Sequence, residues 1–161
     1  MRWIENISWD DCKNGWHYDC GFNSMLIQIA DPATFFPQPK HKFREVHQFE
    51  FLDAEDTDVG RWGSDEFFIT DDQAAEIVKL LQHALDNSMN VVVHCHAGIC
   101  RSGAVVEVAS MMGFTPTDRY RLPNLRVKHR MMKALGWTYD SDEKQSWSGG
   151  TVSESGIVIP K

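Results

Sequence analysis

Four cysteines in 161 residues are too few and too scattered for a disulfide framework. A chain of this length buries enough surface to fold without one. Cys12, Cys20, Cys95 and Cys100 are therefore read as free thiols, and a reducing cytoplasm is the expected setting. No apolar run approaches the ~20 residues that span a bilayer, so no membrane partner is expected. The opening stretch MRWIENISWDDCKNGW is acidic and broken by polar residues, unlike a secretory signal. Without secretion, the glycosylation-like triplet NIS at 6–8 carries no meaning. Positive charge is short as well. Sixteen Lys and Arg against 23 Asp and Glu leave a net charge of −7, which argues against a nucleic-acid partner because phosphate-backbone affinity comes from cations. Internal repeats are absent. Cys12, His17 and Cys20 match no metal-ligand spacing, and neither a metal nor another cofactor is expected.

What is present is an alternation of strands and helices. SMLIQIADP (24–32) reads as a short buried strand stopped by Asp31-Pro32, and EVHQFEFLD (45–53) as a second strand, with Phe49 and Phe51 in phase and Val46 out of it. TDDQAAEIVKLLQHALDNS is the clearest helix. Thr70 and Gln73 fit a capping box, Asp71 and Asp72 suit the positive dipole end, and Ala74, Ile77, Leu80, Leu81, Ala84 and Leu85 share one face. MNVVV then has the uninterrupted apolar pattern of a strand covered on both faces. SGAVVEVASMMGF has helical length with Gly113 at its end, and PNLRVKHRMMKALG reads as a last helix between Pro123 and Gly136. The order predicts an α/β fold with a central, mostly parallel sheet flanked by helices. One domain is expected over residues 1–137, with 1–20 as an N-terminal cover in which Trp3, Trp9 and Trp16 shield the core's edge. The Ser-, Gly- and Asp-rich stretch 138–161 is expected to be a flexible tail.

The chemistry concentrates in VVVHCHAGICRSG, residues 91–103. A tight loop between a buried strand and a helix N-terminus aims several backbone N–H groups at one point, with the helix dipole behind them. Such a nest binds a tetrahedral oxyanion and stabilises a thiolate. Gly98 gives the backbone its freedom, and Arg101 supplies a fork for two phosphate oxygens. Cys95 at the rim becomes a nucleophile aimed at phosphorus. His94 helps order the loop and stabilise the sulfur, and Ser102 can donate a hydrogen bond to the sulfur as it leaves. Taken alone, Cys95 is also compatible with a buried core thiol; the complete pattern argues otherwise.

HCHAGICRS resembles the His-Cys-x5-Arg-Ser/Thr motif of the protein tyrosine phosphatase superfamily. Over roughly residues 24–136 the chain is similar to the compact dual-specificity branch, including small bacterial and bacteriophage members. FLD ends a strand ahead of the motif, and Pro123-Asn124 stands near the start of the final helix. The resemblance implies the cysteine-phosphatase fold, with the phosphate-binding loop between a strand and a helix. It implies a metal-independent mechanism with Cys95, Arg101, Ser102 and an aspartate as catalytic residues, and His94, His96, Ala97, Gly98, Ile99 and Cys100 as the substrate-binding loop. The aspartate protonates the leaving oxygen and later activates water. Its placement just past the upstream strand matches Asp53. Asp56 ranks next, and Glu55, Asp58 and Asp65 are the remaining carboxylates of the same loop.

The distance from Asp53 to Cys95 implies an insertion, and VGRWGSD (59–65) fits either that or a mobile lid hinged at Gly60 and Gly63 with Trp62 closing down. Cys100 resembles the second loop cysteine of low-molecular-weight tyrosine phosphatases, which implies either a reversible Cys95–Cys100 disulfide or a plain buried residue. Six Lys or Arg between Arg119 and Lys133, with no acid, read as a solvated basic face ahead of a docking face for acidic phosphopeptides. Phosphoproteins are the expected substrates, phosphotyrosine first and phosphoserine/threonine second. The loop lacks lysines and the stretch 53–72 is acidic, which places phosphoinositide and RNA 5′-phosphate substrates behind them. An inactive phosphate-binding module and a sulfur-transfer or arsenate-reducing enzyme are the alternatives from other classes.

Overall fold

A computed structural model describes residues 2–137 of the chain; the stretch expected as a tail lies outside the described residues. Five strands form one sheet in the order β3-β2-β4-β1-β5: β1 is Trp3–Ile7, β2 Ser24–Ala30, β3 Glu45–Glu50, β4 Asn90–His94 and β5 Thr115–Pro116. Every pairing is parallel, so all the strands deliver their carboxyl ends to one edge. In open parallel sheets that edge is where ligands bind. The expected α/β architecture is the observed one.

The helices are α1 (Trp9–Asn14), α2 (Val59–Trp62), α3 (Asp71–Asp86), α4 (Arg101–Met112) and α5 (Leu125–Ala134). The Thr70/Gln73 capping box is present in both directions and sets the start of α3. Strand residues alternate between two cores. Ile4, Met25, Ile27, Ile29, Val91 and Val93 face the larger one, shared with α3, α4 and α5. Ile7, Leu26 and Val92 face a smaller one, closed by Cys12 and Cys20. Burial on both faces is the reason β4 is an unbroken run of valines. In contrast, β3 is an edge strand. Phe49 packs on the larger core while Val46, out of phase, is exposed.

The first twenty residues differ from expectation. Instead of covering the core's edge, Trp3–Ile7 lie inside the sheet between β4 and β5. Two polar residues in WIENI disguise it as surface, yet Glu5 and Asn6 are buried at 2% and 1% exposure. Glu5 Oε2 accepts from Arg119 Nε at 2.7 Å and Glu5 Oε1 from Tyr18 N at 3.0 Å, so its charge is paired and solvated by protein. Of the three tryptophans assigned to the edge, Trp3 packs against the smaller core and Trp16 is exposed.

The basic stretch differs too. Arg119 bonds Glu5 and Asp11, Arg126 bonds Asp56, and Arg130 and Lys133 bond Asp71. Arg126 and Lys128 are buried. Instead of forming one solvated face, most of these cations tie α5 and its approach to the acidic segment and to the N-terminus. Among the described residues no helix is long and apolar enough to cross a membrane.

Because β1 is a central element, Ile4→Ala is expected to cost about 2–5 kcal/mol, as for other fully buried isoleucines. Urea unfolding measures it. A loss below roughly 1 kcal/mol would return β1 to the role of a surface cover.

Candidate functional site

Three strand ends converge on one cavity of about 290 Å³. It is lined by Asp31 beyond β2, Leu52 and Asp53 beyond β3, the loop residues Cys95, His96, Ala97 and Cys100 beyond β4, then Arg101, and Trp62 from α2. The loop between β4 and α4 turns tightly. Gly98 has φ +76°, and a Cβ there would come within 2.4 Å of the Ile7 carbonyl carbon, so no other residue fits without displacing β1. The end of β1 holds the loop from beneath. Asn6 Nδ2 donates to Gly98 O at 2.8 Å, Cys95 N to Ile7 O at 3.4 Å and Trp9 N to His96 O at 3.1 Å. Asn6, the asparagine of the NIS triplet, is thus a buried strut.

Cys95 Sγ lies 3.1 Å from Ser102 Oγ and accepts from Gly98 N at 3.3 Å. The Gly98 amide donates to the sulfur, and the Ser102 hydroxyl is placed to do the same. Arg101 is 4% exposed. Its Nη1 donates to Asp31 Oδ1 at 2.8 Å and to Phe51 O at 2.7 Å, while its buried Nε has no partner. The guanidinium is anchored on one corner and keeps a donor unsatisfied, an arrangement that an oxyanion would complete. Asp31 is a member of this site that sequence reasoning treated only as a strand stop. The usable signal was its position at the carboxyl end of a strand neighbouring β4.

His94 is buried at 0% exposure and is not among the residues that line the cavity. Its Nδ1 donates to Cys95 O at 3.3 Å and its Nε2 has no partner. Burial, seconded by the Arg101 charge, pushes its pKa down to about 4. The neutral ring orders the loop but brings no positive charge to the sulfur. Of the other loop residues expected to bind substrate, His96, Ala97 and Cys100 line the cavity; Gly98 and Ile99 are not in its wall.

Among the loop carboxylates only Asp53 faces the cavity, where its Oδ1 accepts from Asn124 Nδ2 at 2.8 Å. Asp56 is tied to Arg126 and Arg130, Asp65 to Arg126, Glu55 Oε2 to Leu125 N, and Asp58 Oδ2 to Glu55 N. Within the stretch 59–65, Val59–Trp62 form the short helix α2, closed by Gly63 at φ +82°, and the half-exposed Trp62 lies in the cavity wall. Burial first, then the Asp53 charge, pushes the Cys100 thiol up to about 11. That makes it a poor thiolate for trapping an oxidised Cys95. Cys12, with its thiol also pushed up to about 11 by burial, and Cys20 belong to the smaller core. Among the described residues no group of His, Cys, Asp or Glu could hold a metal ion.

Strand, loop and helix define a cysteine-phosphatase fold around a thiol. Residues 65–114 match the family described as "Tc-R-P: Polymorphic toxin system, DSP-PTPase phosphatase". The human tyrosine phosphatase-like serine/threonine/tyrosine-interacting protein has a similar fold, with a TM-score of 0.56 at 16% identity over 83% of this chain and 91% of that one. A second solved structure, OH1 from the Orf virus, is 18% identical with a TM-score of 0.46, over 70% of this chain and 57% of that one. No curated protein matches the sequence. The fold is thus that of the cysteine phosphatases, and the segment around the β4–α4 loop is similar to a dual-specificity phosphatase family.

The buried histidine makes stability depend on pH. With the folded pKa near 4 and the unfolded value near 6.5, the unfolded chain takes up the proton first. His94 therefore contributes stability that is full above about pH 6.5 and is lost as pH falls toward 4, by roughly 3 kcal/mol at most. Urea unfolding at pH 7 and pH 5 is expected to show a larger fall for the wild type than for His94→Gln. Equal falls would mean that His94 is protonated in the fold.

Proposed function

We propose that the protein is a cysteine-dependent phosphomonoesterase acting on phosphoproteins, phosphotyrosine first and phosphoserine/threonine second. The observation that carries this reading is the pairing, in one cavity, of a thiol held by Ser102 and the Gly98 amide with a buried guanidinium whose Nε lacks a partner. The phosphatase family matched by residues 65–114 supports the class.

The chemistry runs in two steps. Cys95 attacks phosphorus as a thiolate while Arg101 and the loop amides hold the equatorial oxygens. The bond to the leaving oxygen breaks, and Asp53 supplies that oxygen with a proton. Water then attacks the phosphocysteine and gives a proton back to Asp53. The S–P bond breaks with the sulfur stabilised by Ser102 Oγ–H. Support for Asp53 over Asp56 comes from the cavity wall, which includes the first, and from the ion pairs that occupy the second.

An inactive phosphate-binding module is the second reading, favoured by one observation: the structural relative with a TM-score of 0.56 is described as phosphatase-like and interacting. Hydrolysis of para-nitrophenyl phosphate in excess EDTA separates the two. The wild type is expected to turn over and Cys95→Ser to lose at least 10³-fold while still binding orthophosphate. A folded wild type that binds orthophosphate without turnover would establish the module. Activity that survives the loss of Cys95 would overturn both the nucleophile and the mechanism.

Asp53→Asn is expected to lose more activity on phenyl phosphate than on para-nitrophenyl phosphate, because the poorer leaving group depends more on protonation. The differential should reach about 10²-fold. Equal losses would remove Asp53 from the role of acid.

A further inference from the structure

The sequence marks Asn124 only as half of a Pro-Asn pair, and the chemistry above does not use it. Its side chain is 2% exposed and has no idle polar atom. Oδ1 accepts from Val127 N at 3.0 Å, which caps α5. Nδ2 donates to Asp53 Oδ1 at 2.8 Å and to Ala54 O at 3.1 Å. Its backbone N–H donates to Cys100 O at 3.0 Å, inside the phosphate-binding loop. Two neighbours repeat the pattern on either side. Leu122 N donates to Ile99 O at 3.1 Å, and Leu125 N donates to Glu55 Oε2 at 2.9 Å.

We propose that Asn124 is a positioning residue that sets the carboxyl group of Asp53 against the nucleophile loop. This inference rests on the reading of Asp53 as the general acid. The two loops belong to different strands and are joined at this point through one residue. The main chain of Asn124 is bonded to the loop that carries Cys95, and its side chain to the loop that carries Asp53.

The residue type follows from the donor and acceptor inventory. A helix cap needs a short side-chain acceptor, and the acid loop needs two donors on the same side chain; only asparagine offers both at that length. Aspartate would cap α5 but face Asp53 with an anion. Serine would cap it without the two amide donors. The bond also orients the acid. An Oδ1 that accepts from Nδ2 cannot present a proton there, so the transferable proton sits on Oδ2. A displacement of the acid by about 1 Å is enough to cost as much as 10²-fold in rate.

The cap and the bridge separate in Asn124→Ser, which keeps an acceptor for Val127 N and loses the donors to Asp53 and Ala54. kcat is measured on phenyl phosphate and para-nitrophenyl phosphate, with orthophosphate inhibition as a check on the loop. The expected result is a loss roughly tenfold greater on phenyl phosphate than on para-nitrophenyl phosphate, with KM and the orthophosphate constant moving less than kcat. In an Asp53→Asn background the same substitution is expected to add no further leaving-group dependence, since groups acting as a unit are not additive. Asn124→Asp, which keeps both cap and shape, carries the test if the serine variant melts early; it is expected to show the same preferential loss.

A loss equal on both substrates, or one that persists in the Asp53→Asn background, would make Asn124 a purely structural cap. If Asp53→Asn itself shows no leaving-group dependence, the failure lies in the assignment of the acid and not in the bridge. The two outcomes are therefore distinct.

Discussion

Between Gly98 and the carboxyl end of β1 backbone meets backbone with no space for a Cβ, and the rest of the site hangs from that contact. An anion nest is useful only when its amides are held apart from one another and aimed inward before the ligand arrives. Here the fixing is done by a strand. Ile7 O takes the Cys95 amide, Asn6 takes the Gly98 carbonyl, and His96 O takes the first amide of α1. Each of these bonds uses a polar group at the end of β1 or at the start of α1 just beyond it. Stability of the sheet and shape of the loop are the same interaction seen from two sides.

Charge is distributed on the same logic. The acidic segment 53–72 and the basic segment 119–133 are each conspicuous in the sequence, and in the fold they largely neutralise one another through Arg126, Arg130 and Lys133. What is left at the cavity is small and specific: one carboxyl that faces inward, one carboxylate on the guanidinium, and the thiols of Cys95 and Cys100. Burying Arg101 with a single carboxylate partner and an unpartnered Nε costs free energy. On the proposed reading, an oxyanion with several lone pairs offsets that cost. His94 helps through geometry alone, since its burial keeps the ring neutral.

Legibility in the sequence followed the reach of each interaction. The helix α3 was readable to its cap because capping and amphipathicity act over three or four residues. β4, the loop and α4 were readable because the nucleophile, glycine, arginine and serine all lie within eight consecutive positions. β1 was not, because Glu5 and Asn6 look solvated until their partners at Arg119 and Gly98, about a hundred residues away, are known. Asp31 read as a turn signal and Asn124 as a helix start for the same reason. Each has a local role that is complete in itself, and a second role that depends on a strand or loop 70 positions distant. The ion pairs of the basic stretch were not legible because its counter-ions sit on other elements.

By itself, then, the sequence determined the class of fold and the strand–loop–helix segment that carries Cys95 and Arg101, all of which are encoded in contiguous residues. The tertiary structure alone decided which carboxylate turns into the cavity, which one holds the arginine, and that a polar N-terminal strand underpins the loop. Those outcomes depend on parallel strands bringing distant carboxyl ends to a common edge, and parallel pairing, unlike a helical turn, is made between residues the chain keeps far apart.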